Sequence, residues 1–437
     1  MGHIVGNDIY TRLGKKIDRL ETRVTQNAVL YSILKELYTP EEAEIVVNMP
    51  YGLQTKKRIA AVTGYEESRL EKSLERLCAK GLVMDLFLQG EYYYSISPLV
   101  IGIFEFAMMR RGKGVDHKEL AKLFSRYLLS EDGLSFANYG RGQKLARMRA
   151  LPHEEVIEAS DYVEVLDYEK ATAIIEQNDK FSIGYCSCRH EKLHLGEKKC
   201  EVPLDSCTSY GIAADYMVRN NLAREASRSE MLENLARSKE FGLVLLGDNT
   251  KRKASFMCNC CSCCCNALGS MRKFDYSHMV VSSTFVPAFS DEKCAGCGLC
   301  AKRCPVNAIR MVALGHPDPK KKKRPHVDES ICLGCGVCAL KCKTQSIRLI
   351  KGTKRVIHPE TTFERVILQC LEKGTLQYQL FDNPRSTTHR FLQVFFGAFL
   401  GLPPTKKVLM SDMFRSSFLT AMRKGVSMKG RGFLAEL

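Results

Sequence analysis

Eight cysteines recur in two runs of identical spacing: Cys294, Cys297, Cys300 and Cys304, followed by Pro305, and then Cys332, Cys335, Cys338 and Cys342. Both read C-x2-C-x2-C-x3-C. Thiolates are soft donors that select zinc, copper(I) or iron–sulfur centres. Cysteines two residues apart on a tight loop reach neighbouring irons of one cube, and Gly296, Gly298, Gly334 and Gly336 leave room for backbone amides to approach the sulfides. A structural zinc site takes four ligands, not two consecutive sets of four at this spacing. The runs therefore predict a pair of iron–sulfur cubes.

Residues 283–350 resemble the bacterial-type two-cluster ferredoxins. That resemblance implies that each run closes three thiolates round one cube and sends its fourth cysteine to the other. Cluster 1 would take Cys294, Cys297, Cys300 and Cys342; cluster 2 would take Cys332, Cys335, Cys338 and Cys304. Lys343 stands where a second proline is expected, which places a cation near a cluster, where charge raises the reduction potential. The longer assembly resembles multidomain ferredoxin-like iron–sulfur proteins of anaerobic bacteria, a looser likeness that names no substrate.

A second cysteine field lies upstream. Cys186, Cys188, Cys200 and Cys207 form a C-x-C-x11-C-x6-C set, and Cys258, Cys260, Cys261, Cys263, Cys264 and Cys265 form CNCCSCCC. Six thiols in eight residues are too crowded for an ordinary core. The first four are expected to bind one further iron–sulfur cluster, with some of the second six contributing; structural zinc with spare thiols, or a redox-active thiol pair, are the alternatives. His190, His194 and His278 lie nearby but, as isolated histidines, read as packing or surface residues.

The elements that must position these ligands follow from local signals. Thr39-Pro40-Glu41-Glu42 opens a short helix, a second spans Gln54 to Val62, and Leu70, Leu74 and Leu77 stripe a third from Glu66 to Lys80. Leu82–Leu88, Gln89-Gly90 and Glu91–Ile96 read as a hairpin. Three helices and a hairpin resemble a winged-helix domain. Its third helix balances Glu66, Glu67, Glu71 and Glu75 against Arg69, Lys72 and Arg76, which argues against entry into a nucleic-acid groove. Asp116–Ser130 and Tyr168–Gln177 read as helices, Gly133–Gly142 as a loop and Phe181–Tyr185 as a strand. Thr208–Val218 and Ser227–Phe241 read as helices, the latter with a capping box from Ser227 and Glu230, and Leu243–Leu246 as a strand.

The five cations Lys320 to Arg324, after His316-Pro317-Asp318-Pro319, are expected to form an exposed loop that is either solvated or docks an acidic partner. Thr361–Glu372 reads as a helix stopped by Gly374. Arg390–Leu402 is apolar, too short to cross a bilayer, and flanked by Lys406, Lys407, Arg415, Arg423, Lys424, Lys429 and Arg431. It reads as a buried capping helix, with Gly397 and Gly401 suited to close packing, or as a peripheral membrane or subunit contact.

The chain has 437 residues, a formal charge of +16 and 45% apolar residues, enough for several cores. All but two of its 20 cysteines, Cys78 and Cys370, fall between 186 and 342. Dense ligation explains this better than disulfides, and the polar stretch Met1–Arg19 lacks the apolar core of an export signal, so a reducing cytoplasm is expected, of an anaerobe given cluster fragility. Gly6 stands where a myristoylation motif wants Ser or Thr. No dinucleotide or P-loop glycine fingerprint is present.

The expected fold is α+β and multidomain: a winged-helix-like domain (1–115), a helical connector (116–180), a cysteine-rich α/β domain (181–282), a dicluster 4Fe-4S ferredoxin domain (283–350) and a helical, basic C-terminal segment (351–437). The expected function is relay of single electrons through two 4Fe-4S clusters, with one further cluster, to or from a protein redox partner. A catalytic oxidoreductase centred on Cys186 to Cys265 and a redox-sensing DNA-binding regulator are the competing readings.

Overall fold

The computed structural model describes residues 8–437 except 113, 131, 135–137, 139–144, 163–164, 275–278, 315–322 and 354–355. His278, His316–Pro319, Lys320 and most of the expected loop 133–142 lie outside the described residues.

The first unit follows its local code closely. The helix Pro40–Asn48 starts with a capping box in which the Thr39 side chain takes the Glu42 amide and the Glu42 carboxylate takes the Thr39 amide. The helices Lys56–Thr63 and Glu67–Ala79 follow, then the hairpin β2 (Val83–Leu88) and β3 (Glu91–Ile96). The short β1 (Gln54–Thr55) joins the hairpin to give the order β1-β3-β2. Leu70, Leu74 and Leu77 face inwards, packed with Leu13, Ile33, Val46 and Ile59. This core does not stop at residue 115. Leu120, Phe124 and Leu128 of the helix His117–Leu128 belong to it, so the expected connector begins inside the first unit.

The remainder of that connector supplies a strand. β4 (Met148–Leu151), β5 (Phe181–Tyr185), β6 (Asp205–Tyr210), β7 (Ala223–Ala226), β8 (Val244–Asp248), β9 (Phe256–Cys260) and β10 (Val280–Val281) form one sheet in the order β10-β4-β8-β9-β6-β5-β7. Neighbours are antiparallel except β10 and β4. Two helical expectations give way to this sheet and its edges. Thr208–Tyr210 is strand rather than helix, because Thr208 and Ser209 pair with Met257 and Phe256 of β9 as well as with β5; the helix starts only at Gly211. Tyr168–Gln177 divides into a 3-10 turn at Asp167–Glu169 and a helix Ala171–Glu176. The helix Arg228–Phe241 carries the expected Ser227–Glu230 capping box and ends at Gly242 in the left-handed region.

The two-run segment closes on itself. β11 (Phe285–Phe289) pairs with β14 (Ile347–Lys351), and β12 (Ile309–Ala313) pairs with β13 (Lys323–Val327). The basic run is thus not all loop: Lys323 and Arg324 are in β13. Arg324 is buried and ion-paired to Asp291 at 3.1 Å, with further bonds to the Asp291 and Cys294 carbonyls. Upstream backbone fastens this unit to the sheet domain: the His153 amide bonds the Cys335 carbonyl and the Glu158 amide the Leu349 carbonyl.

The C-terminal helices return to the first unit. Thr375 bonds the Leu20 carbonyl, Asp382 accepts from Gln54, and Arg385 and Arg431 reach the carbonyls of Thr63 and Leu53. Arg365 and Asp248, both buried, form an ion pair at 3.2 Å that ties the helix Thr362–Lys373 to β8. Arg390–Leu402, contained mostly in the helix Thr387–Gly401, is not a buried cap. Phe391, Val394, Phe395 and Phe399 are 69%, 75%, 61% and 53% exposed. Their i, i+3, i+4 and i+8 spacing keeps the apolar residues on one stripe, and only the opposite side, through Gln393 and Leu400, is covered. Gly397 sits against Gln377, while nothing lies near Gly401. No described helix is long and apolar enough to cross a membrane.

Gly81 links the helix Glu67–Ala79 to β2 at φ +75°, and a Cβ there would stand 2.2 Å from that of Phe106. Gly90, at φ +85°, has nothing within 4 Å. Gly81→Ala should cost about 3 kcal/mol and Gly90→Ala about 1 kcal/mol. Calorimetry should therefore show a clearly larger fall in melting temperature for Gly81→Ala; equal falls would contradict the packing argument.

Candidate metal centres

In each run the loop turns on glycines in the left-handed region. Gly298 and Gly336, at φ +72° and +80°, precede short helices that carry Cys300 and Cys338. Gly334, at φ +64°, has the Phe285 carbonyl and the Ser283 hydroxyl where a Cβ would be, each at 2.2 Å. The backbone can pass here only without a side chain.

The Cys304, Cys332, Cys335 and Cys338 side chains line a single cavity, closed by Pro287, Val306, Ile309 and Leu349. These are the four that crosswise ligation groups as cluster 2. The Ala308 amide donates to Cys304 Sγ at 3.1 Å and the Gly334 amide to Cys332 Sγ at 3.4 Å. Burial pushes the Cys335 thiol up to about 12 and raises Cys338 as well. Buried thiols of this kind hold their protons unless a metal supplies compensating charge. Cys294, Cys297 and Cys300 are electrostatic neighbours nearer the surface, with Cys297 exposed. Cys342 Sγ lies 3.3 Å from the Ser346 hydroxyl and 3.5 Å from that of Thr344. Burial raises its pKa, but these hydrogen bonds outweigh it and bring the thiol below its usual value. The donor set, the amide bonds to sulfur and the apolar lining fit iron–sulfur cubes.

The ten upstream cysteines divide by position. Cys200, Cys261, Cys263 and Cys264 bring their sulfurs within 4.8 Å of one another. Cys200 lies 3.6 Å from Cys261 and 3.9 Å from Cys264, and Cys263 lies 3.6 Å from Cys264. The other six gather separately. Cys188 is an electrostatic neighbour of Cys265, Cys260 of Cys258 and Cys265, and Cys207 of Cys258, and Cys186 faces Cys188, Cys207 and Cys258; Cys260 and Cys265 pack in one apolar cluster with Cys258 against it. The expected set of Cys186, Cys188, Cys200 and Cys207 is therefore split, with Cys200 turned to the corner of Cys261, Cys263 and Cys264.

Arg189 stands between the two groups. It is fully buried and bonds the Pro203 carbonyl at 3.3 Å, the Ser206 hydroxyl and the Asn259 carbonyl. It also lies in the field of Cys186, Cys261 and Cys260; burial lowers its pKa, but the thiols overcome this and hold it above its usual value. The sequence carried this residue in plain view, as the arginine directly after C-S-C.

His190 and His194 are not thiol-group members. Their Nε2 atoms are 2.9 Å apart, His190 Nδ1 bonds the Met108 carbonyl at 2.6 Å, and His117 packs on both rings. His117 comes from a distant helix, so no local pattern announced this cluster.

Residues 293–346 match the family model of the 4Fe-4S dicluster domain. The dicluster domain holds two 4Fe-4S clusters. No curated protein and no solved structure matches the chain.

The close fit at Gly334 yields a test within the dicluster domain. Gly334→Ala should cost the second cube, lowering iron by about four atoms per chain while the other cube's reduced EPR signal persists. Undiminished iron in the purified variant would show that the loop tolerates a Cβ.

Proposed function

We propose that the chain is an electron relay in which the upstream cysteine field exchanges single electrons with the dicluster domain, which passes them to a protein redox partner. One observation carries this reading. Cys260 and Cys265 of the field share a single apolar cluster with Cys335 of the dicluster domain, and Cys258, Cys304 and Cys332 pack against it. Contiguous dry packing between metal sites is the setting that outer-sphere transfer needs, with potential tuned by hydrogen bonds and charge rather than by substrate contact. The assignment of cluster 1 to Cys294, Cys297, Cys300 and Cys342, and of cluster 2 to Cys332, Cys335, Cys338 and Cys304, is part of the proposal. So is a further cluster on Cys200, Cys261, Cys263 and Cys264, whose sulfurs already converge.

In this arrangement the chain's own residues seat and shield the clusters. The 4Fe-4S groups supply the one-electron capacity. The exposed Cys297 marks the end nearest the partner, while Leu333, Val337 and Leu349 keep water from the deeper cube.

The winged-helix-like shape of the first unit is better read as a docking or structural element than as a DNA reader. Two of the cations that would meet phosphate are already engaged: Arg69 pairs with Glu41 at 2.9 Å and Lys56 with Glu71 at 2.7 Å. For the C-terminal helix Thr387–Gly401, the reading is contact with an anionic membrane surface, since its exposed phenylalanines are flanked in sequence by the exposed Arg390, Lys407, Lys424 and Lys429.

Two experiments follow. The anaerobically purified protein should contain more than the roughly eight irons that two cubes require, and Cys342→Ser should slow electron delivery to a one-electron protein acceptor without removing iron from the upstream field. Eight irons in the wild type, or unchanged delivery, would contradict the relay. Co-sedimentation with phosphatidylserine-containing vesicles should be salt-sensitive and fall roughly tenfold for Phe395→Glu; no sedimentation of the wild type would remove the membrane contact.

A further inference from the structure

The geometry points to two separate centres in the upstream field: the Cys200, Cys261, Cys263 and Cys264 corner, and a second iron–sulfur cluster seated among Cys186, Cys188, Cys207, Cys258, Cys260 and Cys265. This rests on the relay reading for the first corner but makes an independent claim about the second.

Strand geometry produces the separation. Side chains alternate across a strand, so Cys258 and Cys260 emerge on the same face of β9. Next along the sheet is β6, where Thr208 pairs with Met257, which brings Cys207 beside Cys258. Cys186 ends the turn out of β5, and Cys188 lies in the first turn of the helix Ser187–His194. Cys265 precedes the helix Asn266–Phe274. Five elements thus send thiols to one place. After Cys260 the chain leaves the sheet and turns, and Cys261, Cys263 and Cys264 follow that turn to Cys200. The eight-residue CNCCSCCC motif is shared between two destinations because the strand ends inside it.

Charge supports a metal at the second destination. Arg189 is 0% exposed, yet among the described residues no carboxylate makes an ion pair with it. A buried guanidinium without a counter-charge is strongly unfavourable. The groups that would face it with negative charge once metallated are the sulfurs of Cys186, Cys260 and Cys261. Two thiolate–metal centres, each carrying net negative charge, provide the counter-charge that hydrogen bonds to Ser206, Pro203 and Asn259 do not.

Iron–sulfur fits better than zinc for two reasons. Zinc closes with four ligands, whereas six thiols lie on neighbouring elements here. Three of the six, Cys258, Cys260 and Cys265, also share their apolar packing with Cys304, Cys332 and Cys335 of the dicluster domain, so a centre there would stand next to other iron–sulfur ligands. The Cys200 corner packs in a different apolar cluster, with Val202 and Leu243.

The test compares Cys263→Ser with Cys207→Ser in the full chain, by iron, sulfide and zinc analysis and by EPR of the reduced protein. Each variant should lose about four irons and a different signal, from a wild-type content of about sixteen. Loss of the same signal in both variants, or loss of zinc instead of iron in Cys207→Ser, would overturn the division into two clusters. Should Cys207→Ser fail to fold, the wild-type count decides: about twelve irons with no zinc overturns the second centre alone, whereas about eight overturns the relay's further cluster as well.

Discussion

Sulfur charge in a low-dielectric interior is the constraint around which this molecule is organised. Cys186 upstream and the deeper half of the dicluster domain lie where an isolated thiolate is strongly disfavoured, as the raised values of Cys186, Cys335 and Cys338 show. Such a site is tenable when metal disperses the charge and fixed donors meet what remains. Backbone amides do this at Cys304 and Cys332, hydroxyls at Cys342, and a buried guanidinium at the upstream field. The same groups that make the sites habitable also set their potentials, since hydrogen bonds to sulfur and nearby cations both favour the reduced state.

The scaffold supplies this environment by bringing far-separated chain segments together. β6 and β9 are adjacent in the sheet although the helices Gly211–Arg219 and Arg228–Phe241 intervene in sequence. Arg189 then reaches the Asn259 carbonyl from the helix Ser187–His194. The His153 and Glu158 amides lock the sheet domain to the dicluster domain through the Cys335 and Leu349 carbonyls. Relative motion of these two parts would alter the packing between Cys265 and Cys335, so in the proposed relay their attachment serves the electron path as well as stability.

What the sequence made legible was local. Ligand spacing identified the dicluster domain because its ligands come in triplets from single loops, and the capping boxes at Thr39 and Ser227 marked helix starts because both partners lie within one turn. The hairpin at Gln89-Gly90 was equally self-contained. The partition of CNCCSCCC was not, since it depends on where β9 ends and on Cys200, some sixty residues earlier. Thr208–Tyr210 was misread for the same reason: its pattern suits a helix, and only pairing with β5 and β9 makes it strand. The apolar run Arg390–Leu402 suited a buried cap as well as a surface contact, and only the fold shows that none of the described residues covers Phe391, Val394, Phe395 and Phe399.

The gradient of exposure across the clusters gives the arrangement a direction. Cys335 and Cys338 are buried and Cys297 is exposed, so the two cubes of one small domain differ in their access to a partner. Tunnelling favours short gaps at both ends, but an exposed cube loses electrons indiscriminately to small oxidants. Within the dicluster domain, a buried cube beside one with an exposed ligand would confine that leakage to the Cys297 side. The cation Arg324 borders that side, bracing the Cys294 loop through its carbonyl and through Asp291. Its charge is met by Asp291, so its part here is to hold the backbone of the Cys294 loop in place.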